Sequence, residues 1–153
     1  DGDMLRLGVA DDGGGLTADG RRRACDPFYT SKPGQRTGLG LPLLCQTAEQ
    51  VGGTFSLEQR DEGGTWVTAE LPWAHPDRPP LGNPTDTLLP LIVTSDGVEF
   101  TVRLRHDHAL WELDTREIRA ELGEVPLTHG EVLSFLEEQF RDGLELTGFK
   151  EEA

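Results

Sequence analysis

Residues 72–84 read PWAHPDRPPLGNP. Five prolines in so short a run remove backbone donors and fix φ, so neither a regular helix nor a central strand can pass through it. The chain therefore has to fold in two parts. We take residues 1–72 as the first, residues 73–84 as a linker, and residues 85–153 as a small acidic α+β appendage.

The bulk properties narrow what these parts can do. At 153 residues the chain has room for about one domain and an appendage. The formal net charge is −14 and is unevenly spread: residues 1–78 carry 12 acidic against 8 basic side chains, and residues 79–153 carry 16 against 6. That excess repels a phosphate backbone, so charge excludes nucleic acid as a partner. The run Arg21–Arg23 is the one basic cluster and reads as a solvated loop or helix end. No stretch reaches the roughly 20 apolar residues of a membrane span. The start, DGDMLRLGVADDGG, lacks the basic and apolar regions of a signal peptide. It also lacks an initiator Met, and the chain reads as a fragment. Cys25 and Cys45 are the only cysteines. Two thiols cannot complete a tetrahedral zinc site. We read them as reduced, with Cys45 on the buried side of a helix, which implies a cytoplasmic setting.

Hydropathy patterning predicts the elements. MLRLGVA, residues 4–10, alternates as a strand, with Leu5, Leu7 and Val9 on one face. Residues 16–25 suit a short helix that ends before Asp26-Pro27. From Gly38, the residues Leu41, Leu44, Cys45, Ala48 and Val51 recur at helical spacing. Pro42 fits the first turn of that helix and Gly52-Gly53 its end. Residues 54–58 and 65–71 alternate as two strands joined by a hairpin-type connection. Beyond the linker we expect a helix over 85–94, strands over 98–105 and 109–114, and helices over 115–122 and 129–143. The last two begin at capping-box spacings, Asp114 to Glu117 and Thr128 to Glu131. His106 and His108 sit in the turn between the strands and read as solvated. Trp66, Trp73 and Trp111 read as core or boundary packing.

Three glycine-bearing stretches carry the chemistry. VADDGGGL sets Asp11, Gly13 and Gly15 directly after a strand. TGLGL, residues 37–41, opens the Leu-rich helix, and Gly64-Thr65 opens a strand. Each alone is an ordinary turn or helix start. Together they suit a nucleotide. The first turn of a helix offers free N–H groups and a partial positive charge to phosphate. Gly38 and Gly40 let that phosphate approach the backbone with no Cβ in the way. Asp11, held at a strand end, could accept a hydrogen bond from an adenine amino group. Thr65, on the neighbouring strand, could support the same end of the pocket, and residues 18–34 would cover it.

These stretches resemble a known family. VADDGGGL, DPFYTSK, TGLGLPLL, VGG and GGT occur in the order and at about the spacing of the ATP-binding domain of sensor histidine kinases. The wider group is the Bergerat-fold ATPases, also called GHKL, which includes gyrase, the heat-shock chaperone of about 90 kDa and a mismatch-repair ATPase. The match covers residues 3–72. It implies a two-layer α/β sandwich, with helices on one face of a mixed sheet. It implies that Asp11 contacts adenine, that Gly13 and Gly15 shape the base pocket, and that Phe28 belongs to a lid. It further implies that amides from Thr37 through Gly38, Leu39 and Gly40 meet the phosphates. Lys32 is a lid lysine near the γ-phosphate or a plain loop cation, and Arg36 poses the same choice. The tail, with HPDRPPLG, DTLLPLI and LDTREIRAELGEVPL, is similar to small stand-alone kinase-like ATPases of anaerobic bacteria.

The resemblance departs in one respect. The family's asparagine-bearing helix, which supplies the Mg²⁺ ligand, precedes the first glycine box, and Asn83 in the linker is the one asparagine here. The expectation is an ATP-binding-domain fragment of a signal-transducing kinase or ATPase that by itself binds ATP weakly or not at all and is inactive. The longer parent would use ATP and Mg²⁺ and act on a partner protein or phosphoacceptor. The alternatives are a nucleotide-gated protein-binding module, comparable to anti-sigma factors, and a vestigial domain whose acidic tail is the working surface. His75, in HPDRPPL, partly mimics a kinase phosphoacceptor motif, but it follows the ATPase and sits among prolines, so we read it as a decoy.

Overall fold

The computed structural model describes residues 3–29 and 38–149, in two compact units, Asp1–Pro79 and Pro80–Ala153. Lys32, Arg36 and Thr37 lie outside the described residues.

The first unit is a layer of sheet with helix on one face. Its strands are β1 (Met4–Ala10), β2 (Thr54–Gln59) and β3 (Thr65–Pro72), in the order β1-β3-β2, and both pairings are antiparallel. Its helices are α1 (Ala18–Arg22) and α2 (Gly40–Gln50). Alternation assigns the faces. Leu5, Ala69 and Leu71 are buried, and α2 packs on β2 and β3 with Cys45, Ala48 and Val51 buried. The opposite face carries Arg6, Thr68, Glu70 and Trp66, with Arg6 Nε donating to Glu70 Oε1 at 2.7 Å. Trp66 is 46% exposed there. The α2-to-β2 turn needs its glycines: Gly52 has φ +70°, and a Cβ on Gly53 would overlap the Glu70 carbonyl oxygen.

One expectation is overturned. Cys25 and Cys45 are not free thiols but form a disulfide, with their Cα atoms 5.9 Å apart. Cys45 is buried on α2 as expected, and helix packing brings the turn after α1 to it. A cytoplasmic setting therefore draws no support from reduced cysteines.

The second unit wraps helices around a hairpin. It contains α3 (Pro84–Thr94), β4 (Thr101–His106), β5 (Ala109–Asp114), α4 (Thr115–Leu122) and α5 (Gly130–Thr147). Leu89, Ile92, Leu113, Leu127, Val132, Leu136 and Phe140 form its core. The α5 helix lies against the hairpin so closely that a Cβ on Gly143 would overlap the Trp111 ring, and Trp111 stacks tilted on Phe140 at 5.4 Å. Buried Thr115 holds the hairpin base, donating its N–H to the Phe100 carbonyl and accepting from Phe100 N at 2.8 Å. Trp73, in the first unit, lies under the Arg78 guanidinium.

Boundaries differ from expectation at several points: α1 is shorter than the 16–25 expected, and α5 runs to Thr147 rather than ending at 143. The strand expected from residue 98 starts at Thr101, because Gly97 at φ +73° makes a turn and Val98 N donates back to the Ser95 carbonyl. The second capping box is not formed: His129 is the N-cap of α5 and its side chain makes no capping bond. The first cap does form, with Asp114 accepting from Arg116 N at 2.9 Å.

Three outcomes follow. Replacing both Cys25 and Cys45 by Ser should lower stability by about 3 kcal/mol in non-reducing denaturant titrations, the entropy of a loop this long, and a reductant should bring the wild type to the same value. The Gly143→Ala variant should cost about 1–3 kcal/mol by overpacking against Trp111, read in the same titration. Arg116 pulls the Asp114 carboxyl well below the usual carboxylate range, first by its side-chain hydrogen bond. A depressed folded pKa contributes stability above the unfolded value, about 4, that fades as pH falls toward the folded one. Asn also caps helices, so Asp114→Asn isolates the charge. Its stability deficit should be full at neutral pH and shrink steadily below about pH 4.

Candidate functional site

The end of β1 and the start of β3 are locked together. Asp11 N donates to the Thr65 carbonyl at 2.9 Å, and Thr65 N donates to Asp11 Oδ2 at 3.2 Å. The other carboxylate oxygen, Oδ1, accepts from Gly13 N at 2.8 Å. Arg60 Nη1 donates to the Asp11 carbonyl at 2.7 Å. Both carboxylate oxygens are thus aimed by backbone amides, and each keeps a lone pair for a further donor. The contact depends on Gly64. It has φ +80°, and a Cβ there would overlap the Asp11 carbonyl oxygen.

A cavity of about 310 Å³ opens beside this junction, lined by Asp11, Gly14, Gly15, Leu16, Leu41, Leu57, Thr65 and Val67. Strand alternation places Leu57, Thr65 and Val67 on the face that α2 covers. Leu41 comes from the first turn of α2. That turn begins at Leu39, which makes no side-chain capping bond, and a Cβ on Gly40 would meet nothing within 4 Å. Among the described residues no side chain caps the opening of α2, and its first turn contributes Leu41 to the cavity that Asp11 also lines.

The sequence-derived candidates sort as follows. Asp11, Gly15 and Thr65 line the cavity, and Gly13 bonds to Asp11. Gly38, Leu39 and Gly40 lead directly into the lining residue Leu41. Phe28 is 83% exposed in the turn after α1 and does not line the cavity; its N–H donates to Asp26 Oδ1. Lys32 and Thr37 fall outside the described residues. Sequence reasoning missed the apolar walls, Leu16, Leu41, Leu57 and Val67, although the strand and helix periodicities contained them.

The residues fit an adenine nucleotide in part. A fixed carboxylate, flat glycine surfaces and apolar walls suit a purine, and an uncapped helix start suits phosphate. Among the described residues no group of three or more His, Cys, Asp or Glu could hold a metal by itself, so Mg²⁺ here would rest mainly on the nucleotide's phosphates. His75 Nδ1 accepts from Asp77 N in the turn after β3, and His106 Nδ1 lies 2.9 Å from the Thr147 carbonyl oxygen.

Known proteins resemble the first part of the chain. Residues 1–75 match the family described as histidine kinase-, DNA gyrase B-, and HSP90-like ATPases. These residues belong to that ATPase family. The ATPase domain is 35% identical over 80 residues to nitrogen regulation protein NtrY of Azorhizobium caulinodans, covering 49% of this chain and 10% of that protein. It is 34% identical over 68 residues to sensor histidine kinase ZraS of Escherichia coli, covering 44% of this chain and 14% of that protein. It is 35% identical over 72 residues to sporulation kinase E of Bacillus subtilis, covering 47% and 10%. The chain thus spans 10 to 14% of the length of these relatives. No described helix is long and apolar enough to cross a membrane.

Gly64→Ala should cost about 1–3 kcal/mol or more, since it adds both an unfavourable φ and an overlap. Denaturant titration reads the loss, and the Asp11 and Gly13 amide signals should move most in an NMR spectrum.

Proposed function

We propose that the ATPase domain binds ATP between Asp11 and the opening turn of α2. In the longer protein it passes the γ-phosphoryl group to an acceptor on a partner protein, or to water, as part of signal transduction. The observation that carries this reading is a cavity lined by both Asp11 and Leu41 of α2.

Asp11 accepts from the adenine amino group, while Gly13, Gly15 and Thr65 shape the base pocket. The amides of Thr37, Gly38, Leu39 and Gly40 receive the phosphates, with Phe28 and Lys32 on the covering segment. Bound Mg²⁺ would supply charge neutralisation on the phosphates. This chain's own residues orient the nucleotide and hold its charge, so no nucleophilic side chain is required of them. Residues 1–72 form the nucleotide-binding part, 73–84 the linker and 85–153 the acidic appendage. The site faces the cytoplasm, where ATP is supplied. The relatives named above include sensor kinases, which favours phosphoryl transfer over a gated module without turnover.

Titration of the chain with Mg-ATP, followed by amide NMR shifts, should move residues 13–16, 39–41 and 65 together. Asp11→Asn should weaken ATP by roughly tenfold or more, as expected on losing a hydrogen bond to a charged group, and should also lower the melting temperature, because one amide oxygen cannot accept from both Gly13 N and Thr65 N. Shifts confined to other regions would reject the reading.

A further inference from the structure

Gln59, the last residue of β2, touches the cavity's frame without lining the cavity. Its Nε2 donates to the Gly64 carbonyl at 2.7 Å, and its Oε1 accepts from Leu16 N at 3.3 Å. Arg21 Nη1, from α1, donates to the Leu16 carbonyl at 2.7 Å and lies 3.4 Å from the same Gln59 oxygen. Gly15 leaves the room for this, because a Cβ there would overlap the Gln59 amide. One side chain therefore ties together the glycine beside Thr65, the cavity wall at Leu16 and, through Arg21, the helix that follows. An amide is the group that does this, having a donor and an acceptor in one plane.

We infer that Gln59 and Arg21 form a positioning pair that sets the base selectivity of the site. The inference rests on the nucleotide reading above. Asp11 presents an acceptor whose direction is fixed by Thr65 N and Gly13 N. Adenine offers an amino donor to that acceptor. Guanine offers a carbonyl oxygen at the same ring position, which the carboxylate repels. Guanine can still satisfy Asp11 with its ring N–H and its amino group, but only by shifting in the pocket. A fixed Leu16 wall blocks the shift, and a loosened wall permits it. Selectivity then depends on the separation of Leu16 from Asp11, which the Gln59 and Arg21 bonds hold. The phosphate end, at α2, is outside this network.

The test is amide NMR titration of the whole chain with ATP, GTP and AMP. The wild type is expected to prefer ATP over GTP. Gln59→Leu should cut that preference by roughly tenfold, the scale of losing two hydrogen bonds, and leave the ATP-over-AMP ratio unchanged. Gln59→Glu keeps the acceptor for Leu16 and Arg21 and loses the donor to Gly64, so it should fall between. Arg21→Leu, which lies off the sheet, should lose preference in the same direction and serves if Gln59→Leu does not fold. The inference is overturned if the foldable variants keep the wild-type ATP-over-GTP ratio, or if ATP-over-AMP falls just as much, as for a merely structural role. Absence of any ATP-dependent shift in the wild type overturns the nucleotide reading, and the inference with it.

Discussion

Everything at the site hangs on the contact between Asp11 and Thr65, made through one backbone–backbone bond and one bond from the Thr65 amide to the Asp11 carboxylate. It joins the end of an edge strand to the start of the central one. A bare backbone at Gly64 permits the approach. Because β3 pairs with β1 on one side and β2 on the other, its first residue is placed by the whole sheet. The carboxylate thus has a direction before any ligand arrives, which is what selective hydrogen bonding requires.

The rest of the first unit brings the helix to that fixed point. Burial of Cys45, Ala48 and Val51 seats α2 on the sheet, and its first turn then borders the cavity. The disulfide closes the turn after α1 onto the same helix. The second unit is held by different means. Its order comes from α5 lying on a hairpin, with Gly143 under Trp111 and Thr115 fixing the hairpin base.

Much of this was legible in the residues. The alternation of residues 4–10, 54–58 and 65–71 and the spacing from Leu41 to Val51 gave the elements, since apolar period and burial are the same fact seen twice. The glycine boxes pointed to Asp11, Gly13, Gly15 and Thr65, and at Gly64 the glycine does mark a close backbone approach. Contacts between distant residues were not legible. Nothing local to Cys25 or Cys45 announces their bond, which arises only once α2 has docked. The Gln59 bonds are hidden for the same reason, spanning the end of β2, the loop after β1 and α1. Thr128 fails as a cap because the chain turns first, with His129 N donating to the Pro126 carbonyl. Gly97 cuts the strand start in the same local way.

The cavity's apolar lining has a consequence of its own. Leu16, Leu41, Leu57 and Val67 come from four different segments, and none of their side chains joins the polar frame. Lineages can therefore exchange bulk at Leu41, Leu57 or Val67, widening or narrowing the chamber, while the hydrogen-bonded scaffold and the Leu16 wall stay as they are. Away from Leu16, shape and recognition are free to diverge separately.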